Sequence, residues 1–172
     1  MDATGKLDEE SNAKSPEEFS RSYTHYVLGM LVVVYIFNFI DRQIFAILAQ
    51  SIKVDLNLSD TELGALGGVA FGIFYATLGI PIARLADRYS RVNIIAISLA
   101  VWSIMTSLQA LAGNFWQLLI ARVGVGVGEA GGSPPSHSLI SDYFPPERRA
   151  RSIALYTMGA SVGIGLGYAL GG

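Results

Sequence analysis

Cysteine is absent from the 172-residue sequence, and histidine occurs only at His25 and His137. The chain therefore has neither disulfides nor thiolate metal sites, and two histidines so far apart do not suggest zinc binding. The apolar segments hold no serine–histidine, paired-aspartate or metal-ligand spacing at a common depth. We expect no catalytic residues, no metal and no cofactor, and we do not expect an enzyme.

Charge is also scarce: charged residues make up 15% of the chain and hydrophobic residues 51%, with a mean hydropathy of +0.43. Soluble domains seldom have such a composition. The apolar residues gather into five segments of about 20 residues, the length that crosses roughly 30 Å of hydrocarbon. These are residues 26–50, 63–82, 94–111, 116–140 and 153–172. The sequence predicts an all-α membrane protein with five transmembrane helices.

The first 22 residues differ from the rest, since they hold six acids against Lys6, Lys14 and Arg21. This segment is polar and lacks an apolar core, so we predict a disordered tail over 1–22 and a transmembrane region over 23–172. No cationic start is followed by a cleavable apolar segment, which argues against a signal peptide.

The basic residues indicate the orientation, because cytoplasmic loops collect lysine and arginine. Three lie in the tail, and two connections on the same predicted side hold three each: Arg84, Arg88 and Arg91, then Arg148, Arg149 and Arg151. The opposite side has only Lys53. We predict a cytoplasmic N-terminus and a multi-pass protein of the cell inner membrane.

Glycines form a G-x-G-x-x-G string at Gly126, Gly128 and Gly131. A dinucleotide loop needs a preceding strand and an acid about 20 residues downstream, whereas this string lies in a continuous apolar segment. Small residues also permit close helix packing in lipid. Glycines recur every fourth residue in three segments, at 124, 128 and 132, at 64, 68 and 72, and at 159, 163, 167 and 171. We predict three packing ridges; Pro134 and Pro135 then mark either a packing bend or a hinge.

Four charges fall inside predicted spans: Asp41 and Arg42 in the first, Arg122 and Glu129 in the fourth. Charges within a bilayer usually face one another or a cavity and mark a pathway. One interpretation is static ion pairs that keep two helices in register. The other is a transport site, in which Arg42 and Arg122 bind an anionic headgroup while Asp41 or Glu129 exchanges a proton. We favour Asp41 as the proton site because it adjoins Arg42, with Glu129 close behind.

Two motifs resemble the major facilitator superfamily: ARLADRYSR between the second and third spans, and LLIARVGVGVG in the fourth. NFIDR, DRYSR, VGVGEA and GIGLGYALGG further resemble spinster-type transporters, and the resemblance runs from about residue 35 to the end. It implies the N-terminal part of a twelve-helix carrier that works by alternating access. It also implies proton-linked or ion-linked transport of lysolipid or sphingoid-phosphate-like amphiphiles, anionic or zwitterionic.

The resemblance further assigns Asp87, Arg88 and Arg91 to a cytoplasmic gate. The sequence departs from the superfamily pattern at Ala83 and Ser90, where glycines are usual. In the fifth span a tyrosine follows Gly167 where the antiporter motif has proline, so that motif gives antiport no support.

Two alternatives stay open. Organic-anion or sugar-acid proton symporters of the same superfamily share the Asp-Arg pair and the Glu-Ala step, but typically have Gly-Pro where this chain has Ser90 and Arg91. A non-transporting structural or sensor subunit is the alternative of another class. The expected partners are the lipid bilayer, protons, the lipid substrate and a missing C-terminal half, without which we expect no transport; no nucleic acid is expected.

Overall fold

Six helices account for the five predicted spans in the computed structural model, which describes residues 20–171. They are α1 (Arg21–Asp55), α2 (Asp60–Ala86), α3 (Arg91–Gln109), α4 (Phe115–Ala130), α5 (Ser133–Tyr143) and α6 (Pro146–Gly171). The helices α1, α2, α3 and α6 are each long and apolar enough to cross a membrane. The predicted all-α membrane fold is confirmed. The predicted tail lies outside the described residues except at its end, where α1 begins at Arg21.

The fourth predicted span consists of α4 and α5, which are separated at Gly131 and Gly132. Pro134 and Pro135 lie in the first turn of α5, where the missing backbone donor has no helical partner to lose. The interruption therefore precedes the prolines, and the chain resumes as a helix through them.

Side-chain caps fix where the helices begin. Ser59 and Glu62 form a reciprocal capping box at the start of α2, and the Asn114 side chain accepts a hydrogen bond from the Gln117 amide at the start of α4. Such caps satisfy amides that have no partner within the helix. The tight link between α1 and α2 includes Asn57 at a φ of 51°, a left-handed conformation that asparagine tolerates.

Two of the three predicted glycine ridges are packed. A Cβ added at Gly163 of α6 would lie 2.5 Å from the Ile36 carbonyl oxygen of α1, and one at Gly128 of α4 would lie 2.6 Å from the Trp102 amide nitrogen of α3. By contrast, a Cβ at residues 64, 68 or 72 would meet no atom within 4 Å in the described part of the chain. The prediction that the α2 glycines form a packing ridge against the other described helices is therefore wrong.

The packing leaves a polar layer between two apolar clusters. In the first cluster α1, α5 and α6 meet around Leu31, Ile140 and Tyr156. In the second, Phe45 of α1 packs with Leu66 of α2 and with α4. The helix α6 packs along α1, and α4 packs against both α3 and α2. The charged stretches of α1 and α4 lie between the two clusters.

Candidate functional site

Four charged side chains from α1 and α4 meet within the bundle. Asp41 and Arg42 are neighbours on α1, while Arg122 and Glu129 are seven residues apart on α4 and thus share one face two turns apart. The buried face of α4 includes both of its charges, since the whole Arg122 and Glu129 residues are 2% and 3% exposed. The structure therefore brings together the two acids and two arginines that the sequence singled out.

Arg42 and Glu129 form the tighter of two ion pairs. The Arg42 Nε donates to Glu129 Oε2 at 2.8 Å, and Arg42 Nη2 lies 2.6 Å from the same oxygen. The Glu129 side chain is fully buried, whereas that of Arg42 is 27% exposed. The second carboxylate oxygen, Oε1, has no hydrogen-bond partner among residues 20–171. Arg42 is consequently the principal stabiliser of a buried Glu129 carboxylate.

Asp41 and Arg122 form a looser pair. Arg122 Nη1 lies 3.8 Å from Asp41 Oδ2, beyond hydrogen-bonding distance. The indole of Trp102 and the hydroxyl of Thr106 lie beside the Asp41 carboxylate without reaching hydrogen-bond geometry in the described structure. Both side chains of the pair are largely buried, with that of Arg122 3% exposed and that of Asp41 14% exposed. Small rearrangements of α1, α3 and α4 would therefore change the number of hydrogen bonds to Asp41.

The observed ion pairs differ from the sequence-based interpretation, in which protonation of Asp41 would free the adjacent Arg42. In the structure Arg42 pairs with Glu129, and Asp41 pairs with Arg122. Consecutive residues of a helix point about 100° apart, so they do not face one another. Loss of the Glu129 charge is the event that would release Arg42, and loss of the Asp41 charge would release Arg122.

Aromatic rings surround both arginines. The Arg42 Cζ lies 5.2 Å, 4.9 Å and 5.0 Å from the ring centroids of Phe39, Phe71 and Tyr75. The Arg122 Cζ lies 3.7 Å from the Phe45 ring and 5.2 Å from the Phe71 ring. Aromatic faces attract cations, most strongly where water is excluded. The rings therefore help to hold both guanidinium groups in place while leaving them positively charged.

Two cavities are lined in part by residues of this site, and both include Phe45 of α1. The first, of about 370 Å³, is lined by Arg42, Phe45, Ala46, Ala49, Leu63, Gly67, Phe71 and Arg122. The second, of about 330 Å³, contains Asp41 and Thr106 among mostly apolar residues. The first cavity combines two cations with an apolar wall. Among the described residues no group of three histidine or acidic side chains is placed to hold a metal.

Asp41, Arg42, Arg122 and Glu129 together form the four-charge site. The predicted gate residues lie apart from it. Asp87 and Arg88 are exposed at the end of α2, where they line a cavity of about 370 Å³. Neither forms an ion pair within the described ranges. Arg91 instead pairs with Asp142 of α5 and so links the start of α3 to the end of α5. Of the three predicted gate residues, Arg91 alone therefore forms an ion pair within residues 20–171.

Sequence reasoning missed several residues that build the site. Phe45 lies one helical turn after Asp41, and this i,i+4 spacing was a usable signal for its position near the charges. Trp102 and Thr106 share a face of α3, but nothing in the sequence indicated that this face meets Asp41. Asp142, the partner of Arg91, was likewise not identified.

Comparisons with known proteins agree with the fold and with the motifs. The model of the Major Facilitator Superfamily matches residues 31–172. An MFS-type efflux pump of Mycolicibacterium smegmatis is 40% identical over 76% of this chain and 30% of its own length. Protein spinster homolog 1 of Xenopus tropicalis is 35% identical over 87% of this chain and 29% of its own length.

A solved structure extends the likeness to three dimensions. It is the crystal structure of a bacterial homolog to the human lysosomal transporter Spinster, in an inward-facing and unoccupied conformation. It is 49% identical with a TM-score of 0.81 and covers 84% of this chain and 30% of its own. The chain thus spans about 30% of the length of these relatives.

Proposed function

The chain belongs to the major facilitator superfamily, and we propose that it forms the N-terminal part of a proton-linked carrier of anionic or zwitterionic lysolipid-like amphiphiles. Family membership indicates a carrier protein rather than an enzyme. In this proposal the chain works with a second set of helices by alternating access. The observation that carries the proposal is the arginine–glutamate pair at the centre of the bundle, which joins a buried acid to a cation beside a cavity.

Proton coupling follows from the competition for Arg42. When Glu129 is ionised it accepts two contacts from the guanidinium group through Oε2. A protonated Glu129 binds Arg42 more weakly, because the charge-assisted part of the interaction is lost. Arg42 is then available to an anionic headgroup in the adjoining cavity. Asp41 and Arg122 provide a second acid–cation pair of the same kind, with a weaker initial contact.

The cavity lined by Arg42 and Arg122 has a form that supports an amphiphilic substrate. Two guanidinium groups lie at one part of its wall, and Ala46, Ala49 and Leu63 form an apolar part. Arginine binds phosphate or carboxylate oxygens through paired donors, while the apolar wall accommodates a hydrocarbon chain. The similarity to spinster proteins, including a structure at 49% identity, favours a lipid over a fully polar solute.

The remaining features complete the proposed carrier. We assign a cytoplasmic N-terminus in the cell inner membrane, because nine of the twelve basic residues lie in the tail and in the connections on one side. On that side Asp87, Arg88 and Arg91 act as a gate, forming and breaking ion pairs as the carrier changes its open side. The Arg91–Asp142 ion pair is one that such a change would break.

A sugar-acid symporter is the second candidate function. A probable L-galactonate transporter of Escherichia coli is 28% identical over 78% of this chain, and a hexuronate transporter of Bacillus subtilis is 32% identical over 80% of it. A carboxylate would suit Arg42 and Arg122 as well as a phosphate does. The apolar part of the cavity wall would then have no role in binding.

Uptake into proteoliposomes separates these candidates. The full-length protein carrying this sequence is reconstituted and offered labelled lysophospholipid or labelled hexuronate, with and without a pH gradient. We expect the gradient to stimulate lysophospholipid transport in the wild type, and Glu129→Gln and Asp41→Asn each to abolish that stimulation. Glu147→Gln is the matched control, because this exposed acid lies at the start of α6, away from the site.

Three results would count against the proposal. Hexuronate uptake without lysolipid uptake would select the second candidate. Unchanged gradient dependence in Glu129→Gln and Asp41→Asn would remove proton exchange from these acids. Absence of flux for either solute, with both pairs intact and the protein folded, would favour the structural or sensor role.

A further inference from the structure

A further cavity, larger than the three described above, lies at the end of the bundle where α1 and α6 begin and α5 ends. Its volume is about 690 Å³, which is within the range of small-molecule sites in proteins. It is lined by Arg21, Thr24, His25, Leu28, Tyr143, Phe144, Pro145, Arg148, Arg151, Ser152 and Leu155. None of these residues lines the cavities at the four-charge site. It is therefore a separate place in the fold.

Three arginines from two distant parts of the sequence converge on this cavity. Arg21 comes from the first turn of α1, and Arg148 and Arg151 from the first two turns of α6. Among residues 20–171, no acid lines the cavity and none forms an ion pair with any of the three arginines. The neighbouring Arg149 differs, since its Nε donates to the Phe144 carbonyl oxygen at 3.0 Å. The lining thus carries an excess of positive charge that no described ion pair offsets.

An apolar surface continues from the cavity along the bundle. Leu28 and Leu155 line the cavity itself, and Met158 and Val162 follow Leu155 on the same face of α6. Leu155, Met158 and Val162 are exposed in the described structure. A molecule with an anionic head and a hydrocarbon chain fits this succession, because the head would meet the arginines and the chain would lie against α6.

We propose that this cavity binds the phosphate headgroup of an anionic membrane phospholipid, as a site distinct from the transport site. Guanidinium groups bind phosphate oxygens through paired, charge-assisted hydrogen bonds. Basic pockets between transmembrane helices on the cytoplasmic side are suited to such headgroups. Arginines from α1 and α6 that share one headgroup would link the beginnings of the two helices. The lipid would therefore restrain the separation of α1 and α6 at this end.

The test is lipid binding to the full-length protein, measured by native mass spectrometry after delipidation. Phosphatidylglycerol, phosphatidylcholine and diacylglycerol are titrated separately, and inorganic phosphate is added as a competitor. We expect phosphatidylglycerol to bind most tightly, and the double variant Arg148→Gln/Arg151→Gln to bind it about 30-fold more weakly. The double variant Arg148→Lys/Arg151→Lys keeps the charge and should retain most of the affinity. Arg84→Gln, an exposed arginine of α2 outside the cavity, should bind as the wild type does.

The possible outcomes are distinct. Equal phosphatidylglycerol binding by the wild type and by a folded double glutamine variant would overturn the proposal. An equal loss in Arg84→Gln would show that surface charge in general, rather than this cavity, attracts the lipid. Displacement of phosphatidylglycerol by millimolar inorganic phosphate would identify a free anion site in place of a lipid site. None of these results depends on whether the protein transports lysolipids.

Discussion

Replacing Arg42 by methionine should destabilise the protein, and a second replacement of Glu129 should reverse most of that loss. Arg42 is the residue that contacts Glu129 through two nitrogens, and the Glu129 side chain is fully buried. Arg42→Met would leave a buried carboxylate without its cation, which costs about 3–5 kcal/mol in proteins. In Arg42→Met/Glu129→Met both charges are gone and the volumes are largely kept, so we expect a stability near that of the wild type.

The second ion pair provides an internal comparison for this prediction. Arg122 approaches Asp41 only to 3.8 Å, so it lacks the charge-assisted hydrogen bond that Arg42 donates. Such bonds contribute about 1.5–3 kcal/mol each. The coupling energy of Arg42 with Glu129 should therefore exceed that of Asp41 with Arg122 by about that amount. Double-mutant cycles isolate the two coupling energies from the effects of the single replacements.

The assay is unfolding of the full-length protein in detergent by increasing concentrations of sodium dodecyl sulfate. Each cycle requires the wild type, two single variants and one double variant, with Leu155→Met as a control for a methionine substitution far from the site. If the double variant were as unstable as the sum of its two single variants, the two residues would be energetically independent. Equal coupling energies for both pairs would contradict the ranking derived from the distances.

Two further predictions concern packing. Gly163→Ala should lower stability by about 1–3 kcal/mol, because its Cβ would lie 2.5 Å from the Ile36 carbonyl oxygen. Gly165→Ala should be tolerated, because its Cβ would meet no atom of residues 20–171 within 4 Å. The same detergent unfolding measures both, and equal effects would contradict the close contact of α6 with α1. Phe45→Leu should lower stability by about 1–2 kcal/mol more than the lost apolar area alone accounts for. The additional loss is expected because the substitution removes the aromatic ring whose centroid lies 3.7 Å from the Arg122 Cζ. A double-mutant cycle with Arg122→Met checks this, and zero coupling would exclude a cation–π contribution.

Much of the fold could be predicted because the bilayer imposes a length on every span. The five apolar segments all correspond to helices, but the helices extend past them at most ends: α1 begins at Arg21 and ends at Asp55, against a prediction of 26–50. The apolar length reports the hydrocarbon thickness, whereas a helix continues into the interface for as long as its caps and polar residues permit. Hydropathy therefore locates spans better than it locates helix ends.

The partners of the charged residues could not be predicted from the sequence. Counting from the ends of helices places Asp41, Arg42, Arg122 and Glu129 at similar depths, but helix tilt and rotation set which side chains meet. Adjacency in sequence favoured Asp41 with Arg42, and the observed pairs join α1 to α4 instead. The same limit explains the glycine ridges, since spacing defines a face and leaves open what that face meets.

The glycines of α4 and its charges form one structural arrangement. Gly126 and Gly128 come just before Glu129 and bring the α4 backbone against Phe71 of α2 and Trp102 of α3. This close approach contributes to the complete burial of the Glu129 side chain, whose ion-pair partner is Arg42. A motion that separates α4 from α3 would hydrate Glu129 and weaken its hold on Arg42 at the same time. Helix packing and the ion pair are thus coupled, and a bulky residue at Gly128 should lower stability and also alter the proton dependence of the proposed transport.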